Sequence, residues 1–68
     1  MNPDNFNMSI RKFLKMVGVR SQHEIESAVA DAIAAGRLKG NETLPAKMTL
    51  TVGGVDLSVS LEGTINLE

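Results

Sequence analysis

The chain has 68 residues, of which 43% are hydrophobic and 22% are charged, and its formal net charge is -1. This size and this composition predict one globular domain over residues 1–68. Neither positive nor negative charge is in large excess, so the composition selects neither nucleic acid nor membrane as a partner. The absence of cysteine excludes a disulfide framework, a thiolate nucleophile and a zinc site built on thiolates.

Targeting signals are missing from the pattern of the sequence. No apolar run approaches the roughly 18 residues that a membrane span needs, and the N-terminus lacks the basic start and apolar run of a secretory signal. We therefore expect a cytoplasmic protein that does not act at a membrane.

The first predicted element is a helix from Pro3 to Met16. Asn2 suits its N-cap, because its side-chain oxygen can accept from a free backbone N–H, and Pro3 occupies a position where its missing donor costs nothing. Gly18 suits the left-handed residue that commonly follows a helix. Helical spacing predicts a core face of Phe6, Ile10, Phe13, Leu14 and Val17 and a solvated basic face of Met8, Arg11, Lys12 and Lys15.

A capping box predicts the start of a second helix. Ser21 and Glu24 fit the S-x-x-E pattern, in which each side chain accepts a hydrogen bond from the backbone N–H of the other residue. The helix is predicted from Gln22 to Ala35, with Gly36 ending it. Its inner stripe is predicted to be Ile25, Val29, Ala32 and Ile33.

Strict alternation of apolar and polar residues from Ala46 onward predicts a β-hairpin. Gly53 and Gly54 fit a two-residue turn whose positive φ angles glycine adopts easily. In that register the apolar pairs on one face are Val52 with Val55, Leu50 with Leu57 and Met48 with Val59.

The predicted fold class is α+β, with two N-terminal helices packed on one face of a small antiparallel sheet (ααββ). Glu62 and Gly63 also suit a turn into a short third strand, so ααβββ stays open. The predicted core consists of Phe6, Ile10, Phe13, Leu14, Val17, Ile25, Val29, Ile33, Leu50, Val52, Val55, Leu57 and Val59.

Catalytic and cofactor sites find no support in the residue pattern. A metal site needs several converging ligands, and the chain has one histidine. The serines fall at predicted caps and solvated faces, and no glycine run has the spacing that cradles phosphate. We expect a protein that is not an enzyme, with no catalytic residues, no cofactor and no metal.

Two outer helix patches remain as candidate interaction surfaces. One is basic and contains an adaptable methionine, and the other consists of small residues on the predicted second helix. Their members, with His23 at the start of that helix, are Met8, Arg11, Lys12, Lys15, Arg20, His23, Ser27, Ala30 and Ala34.

The segment from Phe13 to Ile33 also has the order and spacing of a helix-turn-helix motif: a helix end, a short turn and a capped helix. The β-ribbon that follows would allow the winged variant. In this alternative, Arg11, Lys12, Lys15 and Arg20 would contact phosphate. Against it, the would-be recognition helix has no Lys or Arg and carries three acidic residues, which would repel the phosphate backbone.

The N-terminal run FNMSIRKFLKMVGV, continued by SQHEIE at residues 21–26, resembles the opening of a family of short uncharacterised bacterial proteins, a domain of unknown function. The segment Leu44–Lys47 before the alternating β segment is similar too. The resemblance implies a stand-alone bacterial protein and assigns no activity and no site residue.

These observations favour a small protein-interaction module that acts through the outer helix faces or an exposed sheet edge. The partner is an unknown protein, with a homodimer as one option. A nucleic-acid-binding domain that uses the basic residues of the first helix ranks second.

Overall fold

The computed structural model describes residues 1–68 and consists of one α-helix followed by one antiparallel β-hairpin. Helix α1 spans Pro3–Ala34, strand β1 spans Thr43–Val52 and strand β2 spans Leu57–Asn66. The chain divides into two compact units, Met1–Arg37 with the helix and Leu38–Glu68 with the hairpin. The predicted α+β class is therefore confirmed.

The prediction of two N-terminal helices is wrong, because α1 runs without interruption for 32 residues. Gly18 has no positive φ angle and lies in the helix interior. The capping-box residues Ser21 and Glu24 also lie within the helix. The backbone N–H of Ser21 is beyond the first turn, so it is not one of the free N–H groups that a cap satisfies.

Local preferences for a break are weaker than the gain from continuing the helix. A glycine inside a helix costs only about 1 kcal/mol relative to alanine, whereas a break would leave up to four N–H and four C=O groups without helical partners. The alanine-rich segment after residue 27 favours propagation. The glycine and the capping pattern are therefore tolerated inside one helix.

Both ends of α1 have the capping predicted for them. The Asn2 side-chain oxygen accepts hydrogen bonds from the backbone N–H groups of Asp4 and Asn5, each at 3.1 Å. At the other end Gly36 has φ 78°, and the N–H of Arg37 donates to the carbonyl of Ala32 at 2.9 Å. This is the Schellman geometry that satisfies the last carbonyls of a helix.

The hairpin forms in a different register from the predicted one. Val52 pairs with Leu57, Leu50 with Val59 and Met48 with Leu61, so four residues rather than two connect the strands. Positive φ angles occur at Gly54 (89°) and Asp56 (52°) in this loop. Because the shift is two residues, Leu57 and Val59 stay on the face with Leu50, and only Val55 moves into the loop.

The third strand is absent, because β2 continues through Glu62 and Gly63 to Asn66. Gly63 pairs with Ala46 and Glu62 with Lys47, so both residues are part of the ladder instead of a turn. The first strand correspondingly begins at Thr43, three residues before the predicted start.

One face of the hairpin is polar and the other is apolar. The polar face carries a cross-strand hydrogen bond between the hydroxyls of Thr49 and Ser60 at 3.3 Å, and another from Thr43 to the Asn66 side chain at 3.1 Å. The opposite face carries the apolar residues Leu44, Met48, Leu50, Val52, Leu57, Val59, Leu61 and Ile65.

The predicted core is not buried in the structure. No side chain is fully buried, and of the thirteen predicted core residues only Val17, Val29 and Leu50 are half-buried. The exposed ones are Phe6, Ile10, Phe13, Leu14, Ile25, Ile33, Val52, Val55, Leu57 and Val59. A single helix has no neighbouring helix to cover its apolar side, which is why the prediction failed for α1.

Candidate interaction surface

The nine residues predicted as an interaction surface all lie on α1, and all are exposed. A single continuous helix brings several of them closer than two helices would. Lys12, Lys15, Arg20 and His23 line one open depression along the helix, together with Met16 and Val19. We call this surface the outer groove.

The outer groove continues toward the C-terminal end of the helix. At 3.6 residues per turn, Ser27, Ala30 and Ala34 follow His23 on the same side. Met8 lies on this side too, nearer the start of the helix, and Arg11 lies at its edge. Lys12, Lys15 and the small residues Ser27, Ala30 and Ala34 therefore share one long side of α1, whereas Arg11 and Arg20 lie at its opposite edges.

An ion pair at the centre of α1 reduces the basic character of this side. The Arg20 Nε lies 3.4 Å from the Glu24 Oε1, one helical turn away. Both side chains are well exposed, so the pair stabilises the helix by only about 0.3–0.5 kcal/mol.

The helix-turn-helix interpretation is wrong for this chain. That motif requires a turn between two helices, and residues 17–21, where the turn was expected, have helical structure. The basic residues also point in several directions around α1, because Arg11 and Arg20 are half a helical rotation apart. The structure therefore offers neither a recognition helix set against a second helix nor one flat basic face.

A second side of α1 carries the large apolar residues. They recur at steps of three or four residues along the whole helix, so they lie along one side of it. We call this surface the apolar stripe: the large residues Phe6, Ile10, Phe13, Leu14, Val17, Ile25 and Val29, with the smaller Ser21, Ala28 and Ala32 between them. Phe6 and Phe13 are 53% and 46% exposed, so about half of each aromatic side chain faces solvent.

The sequence predicted the large residues of the apolar stripe, together with Ile33, but not Ser21 or Ala28, and it assigned them to two separate helices. The signal for one stripe was the unbroken spacing of Val17, Ser21 and Ile25 across the expected break. That signal was hidden because a serine in the middle of a stripe resembles a cap.

Glu42 is a residue whose role the sequence did not indicate. Its carboxylate accepts hydrogen bonds from the backbone N–H groups of Lys39 (2.8 Å), Gly40 (2.9 Å) and Asn41 (3.2 Å). These bonds, that from Lys39 first, lower the pKa of the Glu42 carboxyl below its ordinary value of 4.5. The backbone N–H of Leu67 also donates to the Glu42 carbonyl at 3.0 Å.

These contacts give Glu42 a structural role at the base of the hairpin. It orders the connection before β1 and ties the chain after β2 to it. The only hint in the sequence is a carboxylate directly after the turn-forming Gly40 and Asn41, and that pattern is common in loops.

Two further features of the structure concern metal binding and membrane insertion. No three histidine, aspartate or glutamate side chains come together in a way that would hold a metal ion. None of the helical residues forms a stretch with the length and hydropathy of a membrane span.

Comparison with known proteins gives one match. Neither the curated proteins nor the solved structures include a significant match to this chain. A family model described as a family of unknown function, DUF6494, matches residues 1–68, which is the whole chain. The chain therefore belongs to this family of unknown function, which agrees with the expected resemblance to a domain of unknown function.

Proposed function

We propose that this protein is a non-enzymatic protein-interaction module and that the apolar stripe of α1 is its docking surface. The observation that carries the proposal is the exposure of the stripe: none of its residues is buried, although it contains two phenylalanines and two isoleucines.

Helix energetics support this proposal. Most of the stability of a protein helix comes from tertiary packing of its amphipathic face rather than from intrinsic propensity. Each large apolar side chain contributes about 1.5–3 kcal/mol when it moves from water into a packed environment. A 32-residue helix with an uncovered stripe therefore has a strong thermodynamic reason to dock on another protein surface.

The burial pattern supports a non-enzymatic role. Catalytic acids and bases usually depend on a desolvated site that shifts their pKa values. His23, Glu24, Glu26 and Asp31 are all exposed on the surface of α1, and the depression that His23 lines is open to solvent. An interaction surface needs no such enclosure.

Site-specific photo-crosslinking in native host cells tests the proposal. Phe13 in the apolar stripe is replaced by p-benzoyl-phenylalanine, which keeps an aromatic ring at that position. Met16 in the outer groove receives the same replacement as the matched control. Both residues are exposed and lie less than one turn apart.

We expect protein adducts on irradiation from position 13 and few or none from position 16. Adducts of equal yield from both positions, or none from either, would contradict the proposal. Adducts from position 16 that disappear on nuclease treatment would instead favour the nucleic-acid alternative.

A further inference from the structure

We propose that the outer edge of β2 is a second docking surface, where an extended segment of a partner protein adds a third strand to the hairpin and places a lysine or arginine beside Glu62. This surface lies on the hairpin and does not involve the apolar stripe, so the inference goes beyond the proposed function. It follows from which backbone groups of the hairpin face outward and from how its two edges differ.

One hydrogen bond at the base of the hairpin fixes which backbone groups face outward. The N–H of Leu67 donates to the carbonyl of Glu42 at 3.0 Å, so these two residues form a hydrogen-bonded pair that continues the register of the strands. Hydrogen-bonded pairs alternate with pairs whose backbone groups face away from the partner strand. The outward-facing residues are therefore Thr43, Pro45, Lys47, Thr49 and Thr51 in β1, and Ser58, Ser60, Glu62, Thr64 and Asn66 in β2.

The outer edge of β1 is interrupted. Pro45 has no N–H, and it belongs to the outward-facing residues, which is the place where a proline leaves the ladder between the strands intact. Lys47 lies two residues further along the same edge. Proline and lysine are the residues with which natural sheets keep other strands away from an exposed edge. The sequence therefore protects β1 against a further strand.

The outer edge of β2 has no such protection. The strand contains no proline between Leu57 and Asn66, so each of its outward-facing residues offers one N–H and one C=O. Outside the ladder with β1, no backbone hydrogen bond in the structure uses these groups. An isolated two-stranded sheet is marginally stable in water, and a third strand stabilises it. The β2 edge is therefore the one that can accept a strand.

The side chains of β2 define what kind of strand fits. Directly opposite residues of neighbouring strands point to the same face, so an added strand extends both the polar and the apolar face of the hairpin. Glu62 is the only charged residue of β2; it is exposed and forms no salt bridge. Opposite charges on cross-strand neighbours are favourable. A fitting segment alternates polar and apolar residues and has a lysine or arginine opposite Glu62.

Neither strand of a second copy meets this description. When two β2 strands pair antiparallel about their centres, Glu62 of one copy lies opposite Ser60 or Glu62 of the other. The Cβ atoms of the two glutamates are then about 4.5–8 Å apart, and like charges at that separation repel. A second copy of β1 would supply Lys47, but Pro45 interrupts its outer edge. The segment that fits therefore belongs to a different protein.

A titration of the isotope-labelled full-length protein tests the inference by nuclear magnetic resonance. The probe is a capped nine-residue peptide of alternating threonine and valine with lysine in place of the central threonine. We expect saturable binding with a dissociation constant below about 1 mM. The outward-facing amides of β2 should shift and become protected from hydrogen exchange, whereas those of β1 should not. Protection of the β1 amides instead, or no binding at millimolar peptide, would overturn the inference.

A matched pair of proline variants assigns the contact to one edge. Ser60 and Thr49 lie opposite one another, their hydroxyls share a hydrogen bond at 3.3 Å, and both of their N–H groups face outward. Ser60→Pro and Thr49→Pro therefore lose the same side-chain contact and leave the ladder between the strands intact. Ser60→Pro should weaken peptide binding at least about tenfold, and Thr49→Pro less than about twofold. Equal effects would contradict docking on β2.

A charge swap tests the lysine or arginine independently of the proline variants. Glu62→Lys should weaken binding of the lysine peptide about fivefold and should favour the same peptide with a central glutamate. Glu26→Lys makes the same change of charge on α1 and should affect neither peptide. A Glu62→Lys variant that binds both peptides as the wild type does would contradict the proposed partner chemistry.

Self-pairing has its own signature in the same experiment. If the outward-facing amides of β2 shift with protein concentration when no peptide is present, a second copy occupies this edge and the inference is wrong. Amides that stay constant on dilution and respond only to the peptide support it. Crosslinking from position 13 concerns α1, so its outcome and that of the titration are separate.

Discussion

At the residue scale, the effect of substituting a glycine of this chain depends on the backbone conformation at that position. Gly18 and Gly36 are both next to positions where a helix end was expected. Gly18 has a helical conformation, whereas Gly36 has φ 78°. A Cβ built at either position meets no atom within 4 Å, so backbone preference alone decides what a substitution does.

Alanine at these two glycines should therefore have opposite effects on stability. Gly18→Ala should raise the free energy of unfolding by about 0.5–1 kcal/mol, because alanine loses less conformational entropy in a helix. Gly36→Ala should lower it by about 1 kcal/mol, because a Cβ is strained in the left-handed region. Urea denaturation at one fixed protein concentration measures both. Destabilisation by Gly18→Ala would indicate a helix break at that residue.

Glu42 should make stability depend on pH in the acid range. Its folded-state pKa is lowered, so the unfolded state binds a proton more readily than the folded state. The stabilisation is therefore complete above about pH 4.5 and is lost as the pH falls through the lowered folded-state pKa. Thermal unfolding of Glu42→Gln and wild type should differ at neutral pH and converge in acid. Glu26→Gln is the control, and an equal effect there would contradict the role of the Glu42 bonds.

At the scale of elements, the continuity of α1 is the largest departure from the sequence-based expectation. Gly18 and the Ser21–Glu24 capping box mark positions where a helix can end or begin, and here neither overcomes the hydrogen-bond ladder of the helix. The hairpin shows the same competition. Gly53 and Gly54 suit a two-residue turn, yet the strands pair through a four-residue loop with the same face assignments.

A proline substitution at residue 22 distinguishes one helix from two. In a two-helix arrangement Gln22 would be the first helical residue, a position that accepts proline. In the continuous helix it lies mid-way, and Gln22→Pro should cost about 3 kcal/mol and reduce the helical circular dichroism signal. Gln22→Ala serves as the control and should be neutral or slightly stabilising. A stable, fully helical Gln22→Pro variant would contradict the continuous helix.

At the scale of the whole molecule, a homodimer through the apolar stripe, which is one option for the partner, makes stability depend on assembly. An association that binds only the folded state raises the midpoint of thermal unfolding as protein concentration rises. The midpoint should therefore increase measurably between micromolar and millimolar chain concentrations. For Phe13→Ala this dependence should be much weaker. A midpoint independent of concentration for the wild type would argue against self-association.

The sequence by itself determined the α+β class, the Asn2 and Gly36 boundaries of the helical region, the family and, apart from Val55, which residues share the apolar face of the hairpin. These properties follow from local spacing and capping, which depend on near neighbours in the chain. Only the tertiary structure decided that Gly18 and Ser21 lie inside one helix, that the hairpin is offset by two residues, and that no side chain is fully buried. The physical reason is that periodicity marks the apolar side of an element, whereas burial depends on whether another surface covers that side.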